Sequence, residues 1–166
     1  NNQAQFNPVR YIKGLVNKLL ENNVEIYENT KATNIEKNEY DYIVTTEKGK
    51  IQAKYVIIAS HYPFLKFKGL YSAKMYQSMS YLIAVETKKE LPNGMYINIS
   101  NPNISIRTAE YEGKQILLIG GGDHKTAKAT TYEESYGRLE KFAKKYYPDA
   151  KILKKWDAED CISLDK

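Results

Sequence analysis

The sequence predicts a mixed fold, part α/β and part α+β: a layered helix-and-strand region, then an antiparallel sheet carrying one packed helix. Three observations predict it. A well-capped amphipathic helix runs into a string of short strands between Val24 and Ser60. That string closes on Val56-Ile57-Ile58-Ala59, apolar without alternation, as in a strand covered on both faces. Beyond Ser80 four strands with short links precede a second capped helix, which reads as an antiparallel meander with one face covered.

The first helix is expected to begin at Asn7-Pro8, with asparagine as N-cap and proline at the first helical position, where its missing N–H costs nothing. Ile12, Leu15, Val16, Leu19 and Leu20 recur at three and four residues and form one apolar stripe. Asn22-Asn23 ends it, and Val24–Tyr27 reads as a short strand. Strands are expected at Ala32–Glu36, Asp41–Thr46 and Lys50–Lys54, the last two joined as a hairpin through Glu47-Lys48-Gly49. Tyr55–Ala59 is the covered strand, and a ligand would bind at its end if the sheet is parallel.

The crossing to the second region is placed near Phe64–Gly69. Its strands are expected at Tyr81–Thr87, Met95–Ile99, Ile104–Glu110 and Lys114–Ile119, with turns at Leu91–Gly94 and Glu112-Gly113. Thr131 and Glu134 match a capping box. The helix they open would bury Tyr132, Tyr136, Leu139, Phe142, Ala143 and Tyr146 and end at Tyr147-Pro148. Lys151–Trp156 reads as a strand returning to the first region. The expected division is 1–65, 66–150, and a return segment at 151–166.

Composition excludes several classes of function. With 42% hydrophobic and 27% charged residues, the chain is globular rather than disordered. No apolar run approaches the ~20 residues of a membrane span, so no membrane partner is expected. The net charge of +5 comes from lysines interspersed with acids, without a recognition module, so nucleic acid is not an expected partner. One cysteine, Cys161, rules out an internal disulfide and a four-thiolate metal site and makes a reducing cytoplasm the default location. The acids around Cys161 supply no base to activate it as a nucleophile.

Few residues offer chemistry. His61 stands where the covered strand ends, either as a surface histidine or as a cofactor-contacting or gating position. Gly120-Gly121-Gly122-Asp123-His124 is either a flexible strand exit or a substrate-facing segment approached closely by main chain. Its spacing fits neither a phosphate loop nor a dinucleotide fingerprint, and Asp123 with His124 are too few ligands for a metal. Arg107 alternates with Ile106 along its strand and is either solvent-exposed or bonded to a carboxylate. No catalytic residue is identifiable.

Phe6-Asn7-Pro8 with Tyr11-Ile12, the run Leu19–Thr30, and Tyr55–Ser60 together resemble the D-amino-acid-oxidase-like superfamily of FAD-dependent oxidoreductases, which includes glycine oxidase and glycerol-3-phosphate dehydrogenase. Trp156–Asp160 followed by Leu164-Asp165 is similar to members fused to a Rieske iron–sulfur domain. The resemblance implies a three-layer FAD-binding domain interrupted by an antiparallel substrate domain. It implies that Lys31 and Ala32 contact the adenosine part of FAD, and that Ala59, Ser60 and His61 approach the cofactor, with His61 in place of the usual glycine. Arg107, Gly121 and His124 would lie on the substrate side.

The resemblance also implies an internal fragment, with the spaced-glycine loop before Asn1 and the flavin-closing segment after Lys166. The piece alone is then expected to be inactive and to retain no FAD, because the loop that grips the pyrophosphate is elsewhere. The intact protein would oxidise an amine, an amino acid or a similar small-molecule substrate, with a Rieske domain as a further part. Unpaired apolar strands would give the piece weak homo-oligomerisation. The alternative is a non-catalytic binding or interaction domain.

Overall fold

The computed structural model describes residues 4–65, 71–99, 103–126 and 131–164, and the chain divides into two compact units, 1–68 and 69–166. Residues 66–69 of the expected domain crossing, and Asp165, lie outside the described residues.

The first unit opens with α1 (Pro8–Glu21), where Asn7 accepts from the Arg10 N–H as N-cap. Its C-terminus is closed by asparagine: Asn23 adopts φ 58°, and the N–H groups of Asn23 and Val24 bond the carbonyls of Leu20 and Leu19. Those two bonds satisfy carbonyls the last turn would otherwise orphan. Strands β1 (Ala32–Lys37), β2 (Tyr42–Thr46) and β3 (Gly49–Ala53) form a three-stranded antiparallel sheet in sequence order. The expected hairpin at Glu47-Lys48 forms, with Thr46 paired to Gly49.

Two expected strands do not form. Val24–Tyr27 and Tyr55–Ala59 enter no ladder, and Tyr55 and Ile57 are 86% and 91% exposed. A strand covered on both faces needs hydrogen-bonding neighbours and a layer on each side, and the described residues supply neither. The apolar stripe of α1 is likewise bare: the helix has no buried residue.

In the second unit a 3-10 turn (Tyr71–Lys74) leads into β4 (Met75–Glu86). It continues with β5 (Met95–Ile97), β6 (Ile104–Tyr111), β7 (Lys114–Lys125), α2 (Tyr132–Tyr146) and β8 (Lys151–Ser163). All ladders are antiparallel, in the order β5-β6-β7-β4-β8. The expected meander therefore covers only β5, β6 and β7, and β4 joins on the far side of β7. Glu112 and Gly113 make the β6–β7 turn at φ 51° and 75°, the left-handed pair that suits a two-residue hairpin.

The expected return segment is strand β8. Residues 151–163 pair with β4 along its length, from Lys151 opposite Glu86 to Ser163 opposite Met75. A turn closed by the Ala150 N–H on the Tyr147 carbonyl reverses the chain after α2, and the ladder satisfies the outer backbone groups of β4.

Helix α2 covers one face of this sheet. Leu139 and Ala143 are buried against Tyr81, Ile83, Val85, Leu117 and Ile119, with Ile104 and Ile106 beside them. Both halves of the capping box are present, the Glu134 N–H at 3.2 Å from Thr131 Oγ1 and the Thr131 N–H at 3.4 Å from Glu134 Oε2. The buried stripe differs from expectation: Tyr132 and Tyr146 are exposed, and Ser135 is fully buried.

Candidate functional site

In the first unit the sequence candidates occupy two places. Ala32 starts β1, and the Lys31 carbonyl accepts from the Glu47 N–H at 3.1 Å. Ala59, Ser60 and His61 follow the exposed apolar run. The Tyr62 N–H bonds the Ser60 carbonyl at 2.7 Å, closing a three-residue turn with His61 at its centre, φ 64°. That is a γ-turn of the rare, strained hand. Left-handed backbone favours glycine, the residue that His61 replaces in the resemblance. Ser60 Oγ braces the same turn by donating to the Tyr62 carbonyl at 2.9 Å.

The second unit holds a pocket of about 160 Å³ on the face of the five-stranded sheet away from α2. Directly paired residues share a face, so the register fixes what lies there. One row crosses all five strands as Ile97, Ser105, Gly120, Leu82 and Trp156. The next runs Met95, Arg107, Leu118, Ala84 and Lys154. Ser105, Gly120, Leu82 and Ile97 line the pocket; Arg107 is one row, ~7 Å, further along the strand and is not among its lining residues.

The glycine run has a separate cause at each position, and it is strand rather than loose exit. A Cβ on Gly120 would stand 2.7 Å from Ser105 Oγ, and one on Gly121 only 2.2 Å from the Asn103 carbonyl oxygen. Gly122, at φ +72°, sits against Ser135 of α2, whose Oγ donates to the Gly122 carbonyl at 3.3 Å. Met79 pairs with His124 and Tyr81 with Gly121, so Gly122 and Asp123 together stand opposite Ser80. This β-bulge re-aims the strand. Asp123 lines the pocket beside Ser80, while His124 falls on the α2 side.

There His124 is bound at both ring nitrogens. Nδ1 lies 2.9 Å from the Lys125 carbonyl, which can only accept, so Nδ1 carries the proton and Nε2 accepts from the Tyr81 hydroxyl at 2.8 Å. Burial pushes the Tyr81 phenol up from its ordinary value. Tyr136, whose ring meets Tyr81 edge-on at 5.1 Å, is pushed up to about 12, first by burial and then by its 2.9 Å bond to Asp157. Both phenols stay protonated at neutral pH and act as donors.

Of the substrate-side candidates, Gly121 lines the pocket, Arg107 shares its face, and His124 turns to the opposite one. Sequence reading missed Ser80 and Ser105, ordinary strand serines that only the cross-strand register brings together. It weighed Asp123 within the Gly120–His124 string, as part of a strand exit or a substrate-facing segment, and set it aside as a metal ligand. Among the described residues no group of three or more His, Cys, Asp or Glu side chains could hold a metal ion, and no helix is long and apolar enough to cross a membrane.

Residues 1–162 match the family model described as DAO, FAD dependent oxidoreductase. The Bacillus subtilis (strain 168) protein YhfW, named as a Rieske 2Fe-2S iron–sulfur protein, is 34% identical over 165 residues, 99% of this chain. The chain spans about a third, 32%, of that relative's length. The fold is similar to glycine oxidase from Geobacillus kaustophilus, with a TM-score of 0.62 and 20% identity over 84% of this chain and 38% of that one. It is also similar to a flavoprotein/dehydrogenase from Cytophaga hutchinsonii, with a TM-score of 0.59 and 14% identity over 98% of this chain and 45% of that one. At such identities the two structures speak to fold.

Proposed function

The chain belongs to the DAO family of FAD-dependent oxidoreductases, and from that premise we propose that it is an internal piece of a flavoenzyme oxidising an amine, an amino acid or a similar small substrate. The observation that carries this is the family match over residues 1–162. The share of YhfW that the chain spans and the bare apolar stripe of α1 support the reading as a piece. Such a stripe normally lies against a sheet, and the sheet is supplied by the rest of the protein.

Within this reading the two units divide the work. When bound, FAD would supply hydride-accepting chemistry, and the protein would supply position and electrostatics. The main chain at Lys31-Ala32 and at Ala59–His61 holds the cofactor. The strained turn at His61 fits that role, since non-glycine residues persist in left-handed backbone where surrounding contacts enforce it. The glycine-floored pocket of the second unit holds the substrate. A Rieske iron–sulfur domain elsewhere in the protein would supply one-electron redox chemistry, a reading supported by the name of YhfW. The single cysteine supports a cytoplasmic location.

The test is spectroscopic. The full-length protein is expected to purify yellow, with flavin absorbance that bleaches anaerobically on adding substrate, and to show an iron–sulfur signal by electron paramagnetic resonance on reduction. Residues 1–166 alone are expected to be colourless and inactive. A full-length protein without flavin overturns the reading, and stoichiometric FAD on the 166-residue chain overturns its status as a piece.

A further inference from the structure

We propose that Asn93 is a site of spontaneous covalent modification: its side-chain amide closes on the Gly94 nitrogen and opens to aspartate and isoaspartate, with Tyr96 promoting the closure. This goes beyond the proposed function and does not rest on it.

The residue pair is the first ground. Asn93 is exposed, and it is the one asparagine in the sequence that glycine follows. Gly94 has no Cβ to crowd its nitrogen, and it holds φ +124°, a conformation that side-chain-bearing residues rarely adopt. Asn98 is the contrast. Its Oδ1 accepts from the Ile104 N–H at 2.7 Å, and β-branched Ile99 follows it.

Tyr96 is the second ground, and only the fold supplies it. Its hydroxyl donates to the Asn93 carbonyl at 3.0 Å, across the bend that enters β5. A Cβ on Gly94 would stand 3.7 Å from the same hydroxyl oxygen, so the phenol lies against the Asn93–Gly94 peptide bond. To attack, the Gly94 nitrogen must lose its proton, and peptide resonance passes the resulting charge to the Asn93 carbonyl oxygen. The Tyr96 hydroxyl is aimed at the atom where that charge develops, and its hydrogen bond strengthens as the charge forms.

The step needs only water and hydroxide. Hydroxide takes the Gly94 N–H proton, the nitrogen bonds Asn93 Cγ, and the Cγ–Nδ2 bond breaks. Ammonia leaves with a proton from water, which restores the hydroxide. Water then opens the cyclic imide at either carbonyl. Opening at Cγ leaves aspartate; opening at the main-chain carbonyl leaves isoaspartate, which lengthens the backbone by a methylene. The change falls at the entry to β5, the edge strand that brings Ile97 to the pocket.

The experiment incubates the full-length protein at neutral and at mildly alkaline pH. Peptide mass mapping and enzymatic methylation of isoaspartate follow the product, and neither readout depends on flavin. Asn93 is expected to be lost roughly tenfold faster than Asn98, at a rate that rises with pH. Tyr96 is 53% exposed, so Tyr96→Phe is expected to fold. It should slow the loss about threefold or more in the folded protein and leave the rate in urea unchanged, since urea removes the hydrogen bond from the parent too. Asn93→Gln is expected to abolish the isoaspartate signal from this peptide. An Asn93 that outlasts Asn98 in the folded parent overturns the proposal. So does a Tyr96→Phe variant that ages like the parent, or one that slows equally in urea.

Discussion

At the scale of single residues, His61 carries the backbone conformation that most needs explaining. Its φ of 64° costs an L-residue on the order of 1–2 kcal/mol relative to right-handed backbone. His61→Gly is therefore expected to be neutral to stabilising in urea denaturation. His61→Val, β-branched in the same conformation, is expected to lower stability by about 1–2 kcal/mol. Equal destabilisation by both would mean that the ring, not the backbone, matters there. Tyr136 sets an alkaline limit. Its folded pKa of about 12 lies above the ordinary 10.0, so between those values the unfolded chain has lost a proton that the folded one keeps. The contribution is fully present below pH 10 and is lost as pH rises toward 12. Tyr136→Phe is expected to flatten this part of the stability profile, followed by circular dichroism against pH.

At the scale of elements, the two helices have similar amphipathic patterns and opposite fates. Helix α2 buries Leu139 and Ala143 on a sheet, while α1 leaves Leu15 46% and Leu19 43% exposed. Periodicity states that a helix has an apolar side; it does not supply what covers it. The bare stripe is expected to make the 166-residue chain self-associate weakly. Sedimentation should show a concentration-dependent shift, removed by Leu15→Glu with Leu19→Glu at little cost in stability, because neither side chain is buried. An unchanged sedimentation profile would place the association elsewhere or deny it. The same logic explains Val24–Tyr27 and Tyr55–Ala59, whose β-branched and aromatic residues suit strands but which have no ladder in the described residues.

At the scale of the whole molecule, the two units differ in self-sufficiency. Every buried residue of the core cluster, from Met79 to Tyr147, belongs to the second unit. Residues 69–166 alone are expected to give a cooperative thermal transition that survives deletion of 1–68. The first unit alone is expected to melt without one; a sharp transition from 1–68 would show that its exposed apolar surface is covered after all. Both helices and their caps, the hairpins at Glu47-Lys48 and Glu112-Gly113, and the resemblance that the family match bears out were legible from the residues alone. Those are local: a cap, a turn residue or a 3.6-residue period acts within a few positions of itself. The pairing of β8 with β4, the bulge that sets Asp123 beside Ser80 and His124 beside Tyr81, and the pocket shared by Ser105 and Gly120 emerge with the fold. Each of these depends on which strand lies beside which and in what register. Register is a property of pairs of distant segments, and a one-residue slip would exchange every facing, so no local pattern could have stated it.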